Sequence, residues 1–317
     1  MIAIIGILVS LLLPAVQSAR EAARRAQCQN QLKQLGLACQ TYADSNRELP
    51  AASGRLDPSN ANDRERWGYL VRLLPFMEQA NVFDQIDSSQ EWFEPGNAFL
   101  RETVIDGLKC PSYEQIQPVN FGDPGDGTGF IDSLAAASYL GVMGANTDFA
   151  DGFVNFCDDR NGLYEMAVEQ QASGGSSRRG AANAPCFALR AGGVAINGLI
   201  IEPGNVGFGK IADGTSNTFV IGEAAFGDPQ AQETRPWFVG AHGEFFYTAK
   251  NVAYNINGGA RPGPARNNMG FGSEHPGGAH FALADGSVQF LSENVELGVL
   301  FAFASRDVGE VVDAGEL

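Results

Sequence analysis

The first sixteen residues, MIAIIGILVSLLLPAV, form an apolar run that no charge interrupts. At 1.5 Å per residue the run spans about 24 Å, short of the roughly 30 Å hydrocarbon core of a bilayer, so alone it is too short to cross. The pattern then changes without a break. Cys28, Leu32, Leu35, Cys39 and Tyr42 recur at steps of four and three between polar Gln27, Asn30, Lys33 and Gln40, which is the spacing of one buried stripe along a helix. Together the halves predict one continuous helix of about 45 residues, ending near Asn46 and Pro50. Gly6 and Pro14 are its weak points, Pro14 because it removes a backbone donor and clashes with the preceding turn. Positive charges follow the apolar run instead of preceding it, which argues against a cleaved signal peptide.

After Pro50 the periods shorten. Trp67 to Gln79 predicts a second helix with Leu70, Leu73 and Leu74 on one side, and beyond Cys110 the chain reads as strands and turns. Gly122–Gly129 and Ser173–Gly180 have no period and read as exposed loops. Asp213-Gly214 marks a turn before a strand-like Thr218 to Ile221, followed by Gly222-Glu223. Within HFALADGSVQFL, Asp285-Gly286 predicts a two-residue hairpin turn. It pairs Ala284 with Ser287, Leu283 with Val288, Ala282 with Gln289 and Phe281 with Phe290, placing Phe281, Leu283, Val288 and Phe290 on one apolar face. A closing helix is expected from Val295 to Ser305. The fold class expected is α+β: a long N-terminal helix, residues 1–48, packed on an acidic head, 49–317, rich in antiparallel sheet.

Composition adds a loop-rich folded body, with 44% hydrophobic residues, 39 glycines and 15 prolines among 317 residues. The net charge of −16 excludes a dedicated nucleic-acid binder, which needs clustered positive charge. That charge is uneven: Arg20, Arg24, Arg25 and Lys33 against Glu21 give residues 1–43 a charge of +3, so the remainder carries −19. A cationic apolar piece suits an anionic lipid surface, and the acidic body suits open water.

Candidate chemistry is sparse. The five cysteines contain no C-x-x-C, and Cys28 and Cys39, eleven residues apart on one helix, are separated by about 16 Å of rise and cannot bond. Cys157 with Cys186 is the disulfide to test, buried free thiols being the alternative. Gly204 to Lys210 has P-loop spacing, but Ile211 stands where Ser or Thr would hold magnesium and a turn replaces the required helix. No HExxH or G-x-S-x-G occurs, so no catalytic residue is assigned and an enzyme is not expected. His275 and Asp285 are placed to meet across the loop entering the hairpin, as a structural hydrogen bond in preference to a catalytic or metal-binding pair. Asp123, Asp126 and Asp132, set among glycines, suit calcium, with solvated surface carboxylates as the competing reading. Trp67, Trp92 and Trp237 are either core residues or stacking platforms for a glycan or other solute.

The stretch IAIIGILVSLLLPAVQSAREAARRAQCQNQLKQLGLACQTY resembles the N-terminal helix of type IV pilins and type II secretion pseudopilins. In particular it resembles a large bacterial family, abundant in planctomycetes, that carries a prepilin-type cleavage/methylation segment. Further matches to that family are Cys110 in Leu108-Lys109-Cys110-Pro111-Ser112, Asp213, Gly214 and Asn217 in the segment from Ile211 to Thr218, Glu223 after Ile221-Gly222, and His275 followed nine residues later by Asp285-Gly286. The family's biochemical role is largely unassigned, and it is also classed with solute-binding proteins. The resemblance implies a non-enzymatic envelope protein anchored in the inner membrane, its head facing the periplasm or exterior. It also implies self-association or assembly with other pilin-like subunits, and a leader upstream of Met1, with Gly-Phe-Thr-Leu-Val-Glu, for a prepilin peptidase. A tethered solute- or glycan-binding protein is the alternative.

Overall fold

The computed structural model describes residues 2–54, 56, 67–90, 92, 94–113, 135–145, 169–172, 176–179, 195, 197–202, 204, 206–225, 235–242, 245–258, 268 and 270–307. Helix α1, Ile2–Asn46, runs unbroken through Gly6 and Pro14. It ends where Arg47 turns left-handed (φ 68°) and its N–H bonds the Ala43 carbonyl at 2.7 Å. After it come β1 (Ser53–Gly54), β2 (Trp67–Gly68), α2 (Tyr69–Leu73), α3 (Ala80–Phe83), β3 (Tyr139–Ala145), β4 (Glu169–Ala172) and β5 (Ser176–Arg179). The remaining elements are β6 (Phe219–Ala225), β7 (Ala241–His242), β8 (Phe245–Phe246), β9 (Ala249–Val252), β10 (Gly272–Ser273), β11 (Gly278–Leu283), β12 (Val288–Ser292) and α4 (Leu297–Ala304).

The centre is a six-stranded sheet in the order β12-β11-β6-β3-β9, with β10 also on β6. It is mixed: β10 joins β6 and β9 joins β3 in parallel, while the other three pairings are antiparallel. Strands β3, β6 and β11 are buried at every position because both sheet faces are covered. Alternation along β3 sends Tyr139 and Met143 to the core shared with α1, and Leu140 and Val142 to a second core shared with α4. The fold is thus α+β, with the sheet between two helices of unequal length.

Within α1 the two halves meet different surroundings. Ile4, Ile5, Ile7, Leu11, Leu12, Leu13 and Val16 are 44–69% exposed, whereas Cys28, Leu32, Leu35 and Cys39 are at most 1% exposed. The seam expected at these positions is buried, with half-buried Tyr42 edge-on to Phe76 at 5.7 Å. Hydrogen bonds fix the docking angle: Lys33 Nζ donates to the Gly286 carbonyl (2.6 Å) and Gln40 Nε2 to that of Ala284 (3.1 Å). Gly36 permits this approach, since a Cβ there would sit 3.3 Å from Gly286 Cα. The Arg25 guanidinium lies 3.3 Å over the Phe290 ring.

Three local expectations are corrected. The hairpin register is shifted by one residue: Ala282 pairs with Val288, Phe281 with Gln289 and His280 with Phe290. Only Gly286 takes a positive φ (76°), so the turn holds three residues and ends in a left-handed glycine, where the expected two-residue turn requires positive φ at Asp285 as well. Phe281 and Leu283 therefore face the α4 core, while Val288 packs on the α1 core, and the four do not share one face. The stretch from Trp67 to Gln79 is not one helix, since α2 gives way to a 3₁₀ turn over Leu74–Met77. Pro75, which supplies no N–H for an α-type bond, stands at the start of this tighter turn, and Glu78 closes it at φ 59°. Inside Ser173–Gly180, Ser176–Arg179 forms strand β5 paired with β4. Helix α4 lies within the expected closing helix.

Candidate functional site

Beneath the docked half of α1, single residues from four distant segments converge. Cys28 comes from α1 and Glu223 from β6, opposite Tyr139 of β3. Cys110 opens a turn closed by the Tyr113 N–H on its carbonyl (3.0 Å), and His275 follows β10, its N–H held by Ser273 Oγ at 3.1 Å. All four residues are buried. Their donor atoms lie within 4.8 Å of one another, so that one ion could touch all four. Cys110 Sγ is 3.6 Å from His275 Nε2, which is 3.6 Å from Glu223 Oε1.

Around this centre, a second ring fixes orientation. His275 Nδ1 bonds Glu21 Oε1 at 2.6 Å, and Glu21 also pairs with Arg24 at 2.7 Å. Glu223 Oε2 accepts from the His280 N–H (2.7 Å) and lies 3.1 Å from His280 Nδ1, while Glu223 Oε1 is buried without a hydrogen-bond partner. The Ser112 hydroxyl lies 3.4 Å from both Glu21 Oε2 and His275 Nδ1. Tyr139 donates to Gln31 Oε1 (2.6 Å), and Gln31 donates in turn to the Asp106 carbonyl (2.9 Å).

Burial works against charging His275, but the nearby Cys110, Glu223 and Glu21 outweigh it and raise the imidazole to about 10. Glu223 is likewise opposed by burial, and His275 with His280 holds it below the ordinary carboxylate range. The hydrogen bond between the two thiols drives them apart, pushing Cys28 up as donor and Cys110 down as acceptor. The arrangement can hold an ion, or it can bring two thiols together.

Residues 17–298 match the family described as "Protein of unknown function (DUF1559)", SBP_bac_10. The chain belongs to this family. The matched span contains all four cluster residues and begins just past the apolar run. No curated protein and no solved structure matches the chain.

The residues singled out from sequence divide into two groups in this family member. Cys110, Glu223 and His275 meet in the cluster. Asp213, Gly214, Asn217, Asp285 and Gly286 build a pair of locked turns: Asn217 Nδ2 bonds the Asp213 carbonyl (3.1 Å), and the Asp285 N–H bonds that of Thr215 (2.9 Å). The Asp285 carboxylate accepts from the Ser287 N–H and hydroxyl at 2.8 and 2.6 Å. His275 therefore takes Glu21, not Asp285, because its loop runs under α1 and away from the hairpin tip. Trp67, Trp92 and Trp237 are at most 1% exposed, which makes them core residues and not platforms. Cys39 is a buried free thiol. Asp123, Asp126, Asp132, Cys157 and Cys186 lie outside the described residues.

Sequence reasoning missed one member of the cluster and one residue of the ring around it. Cys28 passed as one more apolar position of the seam, and Glu21 as a lone anion. The available signal was Glu21 itself, the one carboxylate in an otherwise cationic stretch of helix.

Proposed function

We propose that this chain is a non-enzymatic, pilin-like structural protein of the cell envelope. The apolar half of α1 lies in the inner membrane or packs against copies of itself, and the head stands in the periplasm or outside. The observation that carries this reading is the division of one unbroken helix. In its first half seven apolar side chains between Ile4 and Val16 stand 44–69% exposed, and its second half is built into the head core. The helix is long and apolar enough to cross a membrane. The expected shortfall of the sixteen-residue run disappears because the helix continues through uncharged Gln17, Ser18 and Ala19. Water offers no partner for such a surface, whereas lipid or a bundle of equivalent helices does.

Fractionation tests this reading. The full chain should sediment with membranes, resist a high-salt wash and dissolve in detergent, with its head open to protease added outside spheroplasts. A chain lacking residues 2–19 should be soluble and folded. Recovery of the full chain as a soluble monomer would overturn the assignment.

A further inference from the structure

We propose that Cys28, Cys110, Glu223 and His275 form a structural Zn²⁺ site that pins α1 to the head. The donor set is two sulfurs, one imidazole nitrogen and one carboxylate oxygen, which suits a borderline-soft ion of tetrahedral preference. Zinc–sulfur bonds of about 2.3 Å and zinc–nitrogen or –oxygen bonds of about 2.0–2.2 Å place neighbouring ligand atoms about 3.3–3.8 Å apart. The separations of 3.6 Å from Cys110 Sγ to His275 Nε2 and 3.6 Å from His275 Nε2 to Glu223 Oε1 both fall in that range. The full set, within 4.8 Å, needs only a small contraction.

The surroundings are those of a metal centre. Glu21 engages His275 Nδ1, leaving Nε2 turned to the other three donors, in the carboxylate–histidine–metal arrangement. His280 occupies Glu223 Oε2 and leaves the buried Oε1 without a hydrogen-bond partner. Only Cys28 belongs to α1, so the ion would link the helix to the sheet and to the Cys110 turn. Binding would release the protons held by the thiols and by the His275 imidazole, put metal–sulfur and metal–nitrogen bonds in their place, and oxidise nothing. The site stands whether or not the apolar half of α1 enters a membrane.

The test uses the full chain, purified in detergent with reductant, stripped with a chelator and titrated with Co²⁺, then Zn²⁺. One Co²⁺ per chain should bind, with thiolate-to-cobalt charge transfer and the intense visible bands of tetrahedral cobalt, all bleached by stoichiometric Zn²⁺. Zinc should also raise the melting temperature. Glu21→Gln, a change at a partly exposed side chain, should weaken binding about 10–100-fold while keeping the tetrahedral spectrum. Cys110→Ser should abolish tight binding. Because that variant removes a core group, the unmodified chain gives the deciding readout. Pale octahedral bands, no uptake by a chain whose thiols are counted as reduced, or a Cys28–Cys110 disulfide in protein isolated from zinc-supplied cells would overturn the proposal.

Discussion

Neighbouring residues of α1 separate burial from mere hydrophobicity. Leu35 is fully buried against the sheet and Leu37, two positions on, is 58% exposed. Leu35→Ala should cost about 2–5 kcal/mol in urea denaturation of a chain lacking residues 2–19, and Leu37→Ala should stay within about 0.5 kcal/mol. Gly286 carries a different constraint. Its φ of 76° is left-handed, and an added Cβ would meet the Gln40 side chain at 3.1 Å. Gly286→Val should therefore cost about 2–3 kcal/mol by the same assay, and retention of full stability would refute the turn. Burial pushes the Cys39 thiol up to about 12, so at pH 8 it is both protonated and shielded. Alkylation of the folded chain should spare Cys39 until denaturant is added, as peptide mass mapping would reveal. The convergence of Cys28, Cys110, Glu223 and His275 was not legible in sequence, because metal-site motifs depend on short spacing and these four arrive singly from separate elements.

Elements were legible where one period ran long enough. The seam from Cys28 to Tyr42, the hairpin's existence and α4 all followed from spacing. Failures came where local rules allow two answers. Asp-Gly suits two-residue and three-residue turns alike, and the choice falls to α1, whose Lys33 and Gln40 grip the Gly286 and Ala284 carbonyls. Pro75 fits a 3₁₀ turn as readily as a helix start, so the leucines Leu70, Leu73 and Leu74 were correctly apolar while the continuous helix was not. Since α1 covers Ile221 and Ala282 of the sheet as well as supplying Cys28, a chain from residue 20 should melt cooperatively. A chain from residue 50 should lose that transition and bind a hydrophobic dye, because the sheet face is then bare. Equal melting curves for the two chains would contradict the packing described for α1.

For the whole molecule, the consequence is a rod with two solvents. Arg20 to Arg25 mark the changeover: before them α1 shows apolar side chains outward, and from Glu21 onward it is held by Glu21–His275, Arg25–Phe290 and the seam. Leu12 and Leu37 form a matched pair, 59% and 58% exposed on the same helix. The most direct measurement places a spin label at each, in the full chain reconstituted into liposomes, and compares collisions with oxygen and with a water-soluble nickel chelate. The account predicts that the label at residue 12 is relaxed by oxygen and shielded from nickel, with the reverse at residue 37. Equal access of nickel to both positions would contradict it.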